Sequence, residues 1–315
     1  MRSVQIDIGG TWTRIRTPNG VEKVPSPSAL HRQNASHDQL VRELIHLLAN
    51  HAPRNSIAYV SLGAAYDQET DIAYGSAPLW GPGRWDVPMR RLLEAVRPDV
   101  YWSIVNDVSA GLAHFIDKYA RPADRYVTYL TISSGIALRT AHVPTRCIAV
   151  NAEGLQGEVG HLPAASSAPE AVRSLKCDCG RRGHIAAISS GPAIPRVASA
   201  LGLIKDIQQS AEFCYLRGHD KERMLLRTIV EPVAQIVRFV CTLQPHTDLI
   251  GIGGGVPTGI GKIYKEELIR QLSVEDSYVD NARAMKTRIL IVSDREVSPE
   301  IGAQILGVGE YRIQK

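Results

Sequence analysis

Three short turns rich in glycine and hydroxyl residues, each at the end of a strand-like run, constrain this chain most strongly. The first is Gly-Gly-Thr at residues 9–11, the second Ser-Ser-Gly at 133–135, and the third Gly-Gly-Gly at 253–255. Glycine has no side chain, so backbone N–H groups can approach a ligand closely there, and serine or threonine adds a hydroxyl donor. Such turns can hold phosphate oxygens, although a tight β-hairpin would also explain the first turn taken alone.

The order of the remaining segments predicts an α/β architecture. Strand-like runs such as SVQIDI and SIAYVSLG alternate with amphipathic helical runs such as SHDQLVRELIHLLANHA, which is the pattern of an α/β protein. A strand, a small-residue turn and a second strand occur near residues 4–16 and again near 126–139, which indicates two related halves. A chain of 315 residues also exceeds the usual size of a single core, so two domains are expected.

Composition argues against several classes of function. The net charge of +4 is too mild to indicate a nucleic-acid partner. The chain has no run of eighteen apolar residues and no charged leader followed by an apolar stretch, so neither a membrane span nor a signal peptide is expected. Five cysteines are too few for a disulfide scaffold in a chain of this length, which favours a reducing, cytoplasmic setting.

Two aspartates stand where predicted strands end. Asp7 comes directly before the first turn, where an acid can hold Mg²⁺ through water. Asp107 follows Asn106 at the end of VYWSIVND, where a helical run begins. Phosphoryl transfer to an alcohol needs a base within hydrogen-bond reach of the hydroxyl, and an aspartate can serve as that base. The alternative for Asp107 is a helix N-cap, because aspartate also caps helices well.

A cluster of cysteine and histidine follows in the second half of the chain. Cys177, Cys179 and His184 lie in CDCGRRGH, and this set lacks one nitrogen or sulfur ligand for a tetrahedral zinc site. Upstream, GEVGH places Glu158 and His161 three residues apart. A carboxylate and an imidazole suit a vicinal diol, because both can accept hydrogen bonds from hydroxyls. Two unligated thiols on a loop are the alternative interpretation of the cysteines.

In combination, these motifs resemble the ROK family (repressors, open reading frames and kinases) of the sugar kinase/heat-shock-70/actin superfamily. Bacterial glucokinases are the best-known enzymes of that family. The resemblance runs almost end to end and rests on DIGGTWTR at 7–14, VSLGAAYD at 60–67, SAPLWG at 76–81, VNDVSAG at 105–111, LTISSGIA at 130–137, GEVGH at 157–161, CDCGRRGHIAAISSG at 177–191 and GIGGGV at 251–256.

The resemblance implies a two-domain α/β protein with the actin-like ATPase (ribonuclease H-like) fold and a cleft between its lobes. Residues 1–108 and 298–315 would form a smaller N-terminal domain, and residues 109–297 a larger one. The implied activity is ATP-dependent phosphorylation of a primary hydroxyl on a small polyol, with Mg²⁺ and a structural Zn²⁺. A homodimer is implied as well, without a nucleic-acid or membrane partner.

The same resemblance assigns roles to individual residues. Asp107 would be the general base, and Arg14 would neutralise phosphate charge unless it is an ordinary surface arginine. The implied acceptor contacts are Asn106, Glu158, His161, Gly63, Ala64 and Pro78. The implied nucleotide contacts are Asp7, Gly9, Gly10, Thr11, Arg14, Ser133, Ser134, Gly135, Gly253, Gly254 and Gly255. The implied zinc ligands are His161, Cys177, Cys179 and His184, where His184 replaces a cysteine of the family motif.

Three further positions depart from the family pattern. Ala186 stands where hexose-specific relatives have a glutamate that reaches the anomeric end of the sugar, and Leu79 stands where the family usually has asparagine. A glucose pocket that lost both groups would leave ring hydroxyls unpaired. The expected acceptor is therefore an amino or deoxy sugar or a C7-type cyclitol. Ser133 adds a side chain where relatives have glycine in the second phosphate turn.

Two alternatives stay open beside this prediction, and the sequence argues against a third. A glucokinase-type hexose kinase would share almost all the motifs. A catalytically weak sugar-binding relative would explain Ser133 and Ala186. A repressor of the family would carry a DNA-binding helix-turn-helix ahead of the first strand, which here begins at residue 3 or 4, so a kinase is expected.

Overall fold

The computed structural model describes residues 2–151, 153–205, 220–273 and 286–314. These residues form two compact units. Unit 1 comprises Met1–Pro122, Arg139–Gln156 and Val297–Lys315, and unit 2 comprises Ala123–Leu138 and Gly157–Glu296. Among the described residues, no helix is both long and apolar enough to cross a lipid bilayer.

The strands and helices are numbered in chain order. The strands are β1 (Arg2–Ile8), β2 (Trp12–Thr17), β3 (Gly20–Pro25), β4 (Ser56–Leu62), β5 (Ala65–Asp67), β6 (Ile72–Gly75), β7 (Val87–Pro88), β8 (Tyr101–Asn106), β9 (Tyr126–Ile132), β10 (Ile136–His142), β11 (Cys147–Ala149), β12 (Thr247–Gly253), β13 (Ile289–Ile291) and β14 (Arg312–Gln314). The helices are α1 (His37–His51), α2 (Ala77–Trp80), α3 (Met89–Val96), α4 (Asp107–Tyr119), α5 (Glu170–Arg173), α6 (Ala186–Ser189), α7 (Ala193–Ala200), α8 (Asp220–Leu243), α9 (Gly255–Ile260), α10 (Lys262–Ser273) and α11 (Pro299–Gly307). A 3₁₀ turn spans Val159–His161.

Unit 1 is built on a five-stranded sheet in the order β3-β2-β1-β4-β8. The first three strands are antiparallel, whereas β1, β4 and β8 run parallel. Helix α1 begins after Ser36, whose side chain accepts a hydrogen bond from Gln39 N, and buries Leu40, Leu44 and Leu48 in the apolar core with β1 and β4. That four-residue spacing places the three leucines on one face of the helix.

Unit 2 contains β9, which has β12 on one side and β10 on the other, with β13 beyond β12. The turn that joins β9 to β10 is formed by residues 133–135, as the sequence predicts. Helix α8 packs against α10 and contributes Leu225, Ile229 and Val233 to the core. The helix continues through Pro232 as a single element, so this proline does not divide it into two helices.

Helix α11 returns to unit 1 and packs against α4. Gly302 makes this contact very close, because a Cβ at this position would lie 1.7 Å from Ala110 O. Ser298 N, at the start of α11, donates to His114 Nδ1 at 2.8 Å. The unit therefore includes α4 as well as residues 139–156, which differs from the predicted boundary at residue 108.

Substitution of Gly302 by alanine tests this packing. The new methyl group would overlap Ala110 O, so the two helices must separate, and we expect the free energy of unfolding to fall by at least about 2 kcal/mol. Urea denaturation followed by circular dichroism measures the change. Gly259→Ala is the matched control, because apart from its chain neighbours and the backbone of its own helix no described atom lies within 4 Å of that Cβ position in α9. Equal losses in both variants would contradict the close α4–α11 contact.

Candidate active site

The carboxyl ends of three parallel strands meet at one edge of the unit 1 sheet. Ile8 is paired with Leu62, and Leu62 with Asn106. The residues that directly follow β1, β4 and β8 therefore leave the sheet at the same edge. They are the first glycine turn, Gly63 and Asp107.

Gly63 lies between the first turn and Asp107. Its N–H donates to Ile8 O at 2.8 Å. A Cβ on Gly63 would lie 2.8 Å from Ile8 O, 3.4 Å from Asp107 Oδ2 and 3.7 Å from Gly9 Cα. A side chain at position 63 would therefore clash with Ile8 O, whereas it would meet Asp107 and Gly9 at ordinary van der Waals distances. The adjacent Ala64 presents its carbonyl oxygen to Asn106 Nδ2 at 2.9 Å.

The first glycine turn joins β1 to β2 as a hairpin, so both sequence interpretations of it are compatible. Gly9 N donates to Trp12 O at 3.0 Å. Thr11 O accepts from Ser26 N at 3.1 Å and contacts His31 Nε2 at 2.7 Å. These contacts fix the shape of the turn at the edge of the sheet.

Asp7 is almost fully buried beside this turn, with 4% of its surface exposed. Its Oδ1 accepts from Ser61 Oγ at 2.7 Å, and its Oδ2 accepts from Arg14 Nη1 at 3.0 Å. Burial raises the pKa of Asp7 to about 6, the Arg14 guanidinium opposes the rise, and the Glu300 carboxylate adds to it. Each carboxylate oxygen keeps a second lone pair for a water molecule, so Asp7 fits a magnesium ion held through water.

The structure assigns the N-cap of α4 to Asn106 rather than to Asp107. Asn106 Oδ1 accepts from Val108 N at 3.1 Å and from Ser109 N at 3.3 Å. Its Nδ2 donates to Ala64 O at 2.9 Å and to Asp107 Oδ1 at 3.1 Å. These four bonds use both amide hydrogens and both lone pairs of Oδ1. Asn106 therefore holds Asp107 in place at the first position of the helix.

The predicted acceptor loop around Pro78 lies in the short helix α2. Pro78 O accepts from Leu30 N at 3.3 Å, and Leu79 O accepts from Ala29 N at 2.9 Å. Leu79, which replaces the family asparagine, is fully buried in the apolar core of unit 1. The side chain at position 79 therefore serves packing.

In unit 2, the second and third turns are neighbours. Strands β9 and β12 run parallel, with Thr131 paired with Gly253. Gly254 has a φ of 98°, and a Cβ there would lie 2.4 Å from Ile132 O. A Cβ on Gly255 would lie 3.8 Å from Ser133 Oγ. Glycine is thus required at position 254, because it allows the third turn to pass close to the second.

The second turn has its own hydrogen bonds. Ser133 N donates to Gly135 O at 2.9 Å, and Ser133 O accepts from Gly191 N at 2.7 Å. Ser133, Ser134 and Gly135 are each partly exposed. Ser134 therefore lies on a fixed turn and is partly accessible to solvent.

Glu158 directly precedes the 3₁₀ turn Val159–His161, and His161 is its last residue. Gly160 is buried at its centre, where a Cβ would lie 2.6 Å from Ile136 O and 3.3 Å from the Cβ of Ala186. Ala186 is only 8% exposed. The position at which hexose-specific relatives have glutamate is therefore close to the turn between Glu158 and His161 and carries no polar side chain.

The predicted zinc ligands converge in unit 2. One ligand atom from each of His161, Cys177, Cys179 and His184 lies within 4.8 Å of the others. His161 Nδ1 lies 3.4 Å from His184 Nδ1, Cys179 Sγ lies 3.3 Å from His184 Nδ1, and Cys177 Sγ lies 3.9 Å from His161 Nδ1. Ligand atoms around tetrahedral zinc are separated by about 3.3–3.8 Å. The four side chains fit a zinc ion.

Backbone contacts explain this convergence. Pro163 and His184 form an isolated antiparallel bridge, and Ile185 N donates to Leu162 O at 3.0 Å, which places the two histidines side by side. Gly180 N donates to Cys177 O at 2.8 Å and closes the turn that carries both cysteines.

In the absence of a metal, both imidazoles and the Cys177 thiol favour their neutral forms. Burial lowers the pKa of His161, and His184 lowers it further. Burial also lowers the pKa of His184, and it raises the pKa of the Cys177 thiol to about 11. The imidazoles are therefore ready to ligate, whereas the Cys177 thiolate requires a cation beside it.

A separate cavity of about 980 Å³ in unit 2 is lined by none of the predicted site residues. It lies along α8 and includes Arg227, Arg238 and Arg270. Glu231, in its lining, accepts from Ser166 Oγ at 3.0 Å and fixes one wall. We assign this groove no part in the predicted chemistry, because its lining contains neither the predicted catalytic aspartate nor a glycine turn.

Sequence reasoning missed several buried charged residues. Glu300 is 1% exposed and accepts from Arg16 Nη2 at 2.8 Å. Arg139, also 1% exposed, donates to Gly154 O at 2.8 Å and fixes the loop that precedes Gly157. Arg14 and Arg16 stand two residues apart in β2, and such spacing predicts that both project from the same face of a strand. The spacing of Arg14 and Arg16 was the only signal in the sequence for a charged face on this strand.

Comparison with known proteins gives one consistent assignment. A model of the ROK family matches residues 3–308. The 2-epi-5-epi-valiolone 7-kinase of Actinoplanes sp. is 37% identical over an alignment that covers 94% of this chain and 90% of the relative. The N-acetylmannosamine kinase of Pasteurella multocida is 24% identical, with coverage of 85% and 86%.

A solved structure agrees in fold. The ROK family glucokinase from Streptomyces griseus, crystallised with glucose and AMPPNP, matches with a TM-score of 0.70 and 16% identity, covering 96% of this chain and 98% of that one. This likeness shows the two-domain α/β fold of the actin-like ATPases, as the motifs predict. From the family match and the relative at 37% identity, the chain belongs to the ROK family.

Proposed function

We propose that this protein is an ATP-dependent kinase that phosphorylates a primary hydroxyl of a cyclitol or of an amino or deoxy sugar. The observation that carries the proposal is the position of Asp107 beside Gly63, at the sheet edge where the first glycine turn leaves β1. The relative that is 37% identical is a 2-epi-5-epi-valiolone 7-kinase, which supports a phosphotransferase with an alcohol acceptor.

In the proposed reaction, Asp107 accepts the proton of the acceptor hydroxyl. The oxygen of that hydroxyl attacks the terminal phosphorus of ATP. The bond from that phosphorus to the ADP oxygen breaks, so the products are ADP and a phosphate monoester. Asn106 keeps Asp107 Oδ1 in place through its 3.1 Å hydrogen bond. The resulting role of Asn106 is to position the base, because its amide group has no hydrogen or lone pair left for the predicted contact with the acceptor.

The glycine turns would hold the nucleotide. Backbone N–H groups around Gly9 and the hydroxyls of Thr11 and Ser134 are the proposed phosphate donors, and Gly254 and Gly255 would lie against the nucleoside. Asp7 would hold Mg²⁺ through water, and the bound ion would neutralise charge on the phosphates. Arg14 already pairs with Asp7 at 3.0 Å, so its guanidinium is close to the place where phosphate charge would be neutralised.

Two positions of the predicted acceptor site favour a substrate that differs from glucose. Ala186 is buried against Gly160 and Leu79 is buried in the core, so neither position can hydrogen-bond a ring hydroxyl. An acceptor without an anomeric hydroxyl would leave nothing unpaired there. A C7-type cyclitol meets this condition, and the relative at 37% identity acts on such a compound.

We also propose that the Cys/His cluster holds a structural zinc ion. The support is the convergence of His161, Cys177, Cys179 and His184 within 4.8 Å. A bound zinc ion would fix the loop that carries His161, so that its Nε2 and the nearby Glu158 can contact acceptor hydroxyls. The ion would act on structure, because four protein ligands leave no open position for substrate.

Two other functions differ from the proposal in measurable ways. A glucokinase-type enzyme would prefer glucose, and a catalytically weak sugar-binding relative would bind an acceptor without turnover. The side chain of Ser133 in the second phosphate turn is the observation in favour of the weak relative. The predicted homodimer stays a prediction.

The first test replaces the proposed base. Asp107→Asn keeps the shape of the side chain but cannot take up the proton, so we expect kcat to fall about 10²- to 10⁴-fold. Asp117→Asn is the matched control, because Asp117 lies exposed on the same helix. Coupled measurement of ADP release gives both values, and an unchanged kcat in Asp107→Asn would contradict the role of this residue.

The second test compares acceptors. With Mg·ATP in excess, we expect kcat/KM for a C7-type cyclitol to exceed that for glucose by roughly tenfold or more, because the missing polar contacts affect only an anomeric hydroxyl. A panel of cyclitols, amino sugars, deoxy sugars and glucose provides the comparison. Preference for glucose would indicate the hexose kinase, and an absence of acceptor-dependent ADP release would indicate the weak relative.

The third test concerns the metal. We expect about one zinc ion per chain in the purified protein and its loss in Cys179→Ser, because removal of one ligand weakens a four-ligand site. Elemental analysis measures the metal. Cys147→Ser should retain zinc, since Cys147 lies in β11 outside the cluster. Equal metal content in the two variants would contradict the proposed ligand set.

A further inference from the structure

One face of the β1–β2 hairpin carries polar residues and is covered by α11. Arg14 stands opposite Asp7 in the antiparallel pairing, and Arg16 stands opposite Gln5. Alternate residues of a strand share a face, so both arginines lie on the face that carries Asp7. The other face of β1 carries Val4, Ile6 and Ile8 into the apolar core.

Helix α11 supplies the partners of this polar face. Glu300 Oε1 accepts from Arg16 Nε at 3.3 Å and from Arg16 Nη2 at 2.8 Å. One turn further on, Gln304 Oε1 accepts from Gln5 Nε2 at 3.0 Å. Glu300 lies in the first turn of the helix, where the exposed N–H groups favour a negative charge.

The burial of Glu300 costs free energy that a purely structural role does not explain. It is 1% exposed, and its Oε2 has no hydrogen-bond partner among the described residues. Burial of a carboxylate with one oxygen unsatisfied costs free energy that a leucine of similar size would not cost. The charge at this position therefore calls for an explanation beyond stability.

We propose that Glu300 is a positioning residue that holds Arg16 away from Asp7, so that Asp7 stays available for the metal-nucleotide complex. The inference rests on the proposed function, because it assumes that Asp7 serves a bound nucleotide. Without Glu300, the Arg16 guanidinium would be left without its carboxylate partner, about 7 Å along the strand from Arg14. Asp7 would then be the nearby anion on the same face of the hairpin.

Two charge effects act in the same direction. Loss of the Glu300 carboxylate removes a negative charge near Asp7, and an arginine that moves to Asp7 adds a positive one. Both effects weaken the attraction of Asp7 for a divalent cation. Removal of Arg16 together with Glu300 cancels the second effect and most of the first, so the double variant should bind the cation much like the unaltered protein.

The experiment measures Mn²⁺ binding in the presence of ADP by electron paramagnetic resonance, with no turnover required. It compares the unaltered protein with Glu300→Gln, Arg16→Gln, the double variant and the control Glu310→Gln, an exposed residue beyond α11. We expect the dissociation constant of Mn²⁺ to rise about tenfold in Glu300→Gln and to return to within about twofold in the double variant. Arg16→Gln should bind Mn²⁺ at least as tightly as the unaltered protein, although it leaves Glu300 buried without a partner.

The outcomes separate this inference from the proposed function. Absence of ADP-dependent Mn²⁺ binding in the unaltered protein would contradict the kinase itself. Normal binding in Glu300→Gln, or a double variant as weak as Glu300→Gln, would overturn the role of Glu300 and leave the kinase intact. Thermal melting of each variant identifies a loss of folding, and the double variant keeps the test valid if Glu300→Gln alone is unstable.

Discussion

The parallel pairing of β1, β4 and β8 is the constraint on which the proposed chemistry of unit 1 depends. It places the residues after all three strands at one edge, where Gly63 lies between the first turn and Asp107 Oδ2. Phosphoryl transfer depends mainly on positioning and charge. The sheet edge provides both, because it carries the first glycine turn, the buried Asp7 and the Asp107 that Asn106 holds in place.

Helix α11 connects the two halves of that arrangement. Its start is hydrogen-bonded to His114 of α4, and the first residue of α4 is the proposed base. Its Glu300 is hydrogen-bonded to Arg16 in the hairpin that also carries Asp7. Gly302 permits the close contact with α4. A helix near the end of the chain thus sets the geometry of residues near its beginning.

The sequence predicted what is decided locally. The three glycine turns, the start of α4 and the Cys/His cluster each depend on neighbouring residues, and the structure has them where the motifs indicate. It did not predict that Asn106 rather than Asp107 caps α4, because both residues cap well. The Arg16–Glu300 pair joins residues 284 positions apart, and only the packing of α11 on the sheet brings them together.

The most direct test of the central claim follows the terminal phosphate itself. ATP with oxygen-18 in that phosphate is incubated with the protein, Mg²⁺ and a C7-type cyclitol. The label is located by its isotope shift in ³¹P nuclear magnetic resonance. The account predicts a single phosphate monoester on a primary hydroxyl, formed in step with ADP. Label found only in inorganic phosphate, or left entirely on ATP, would contradict it.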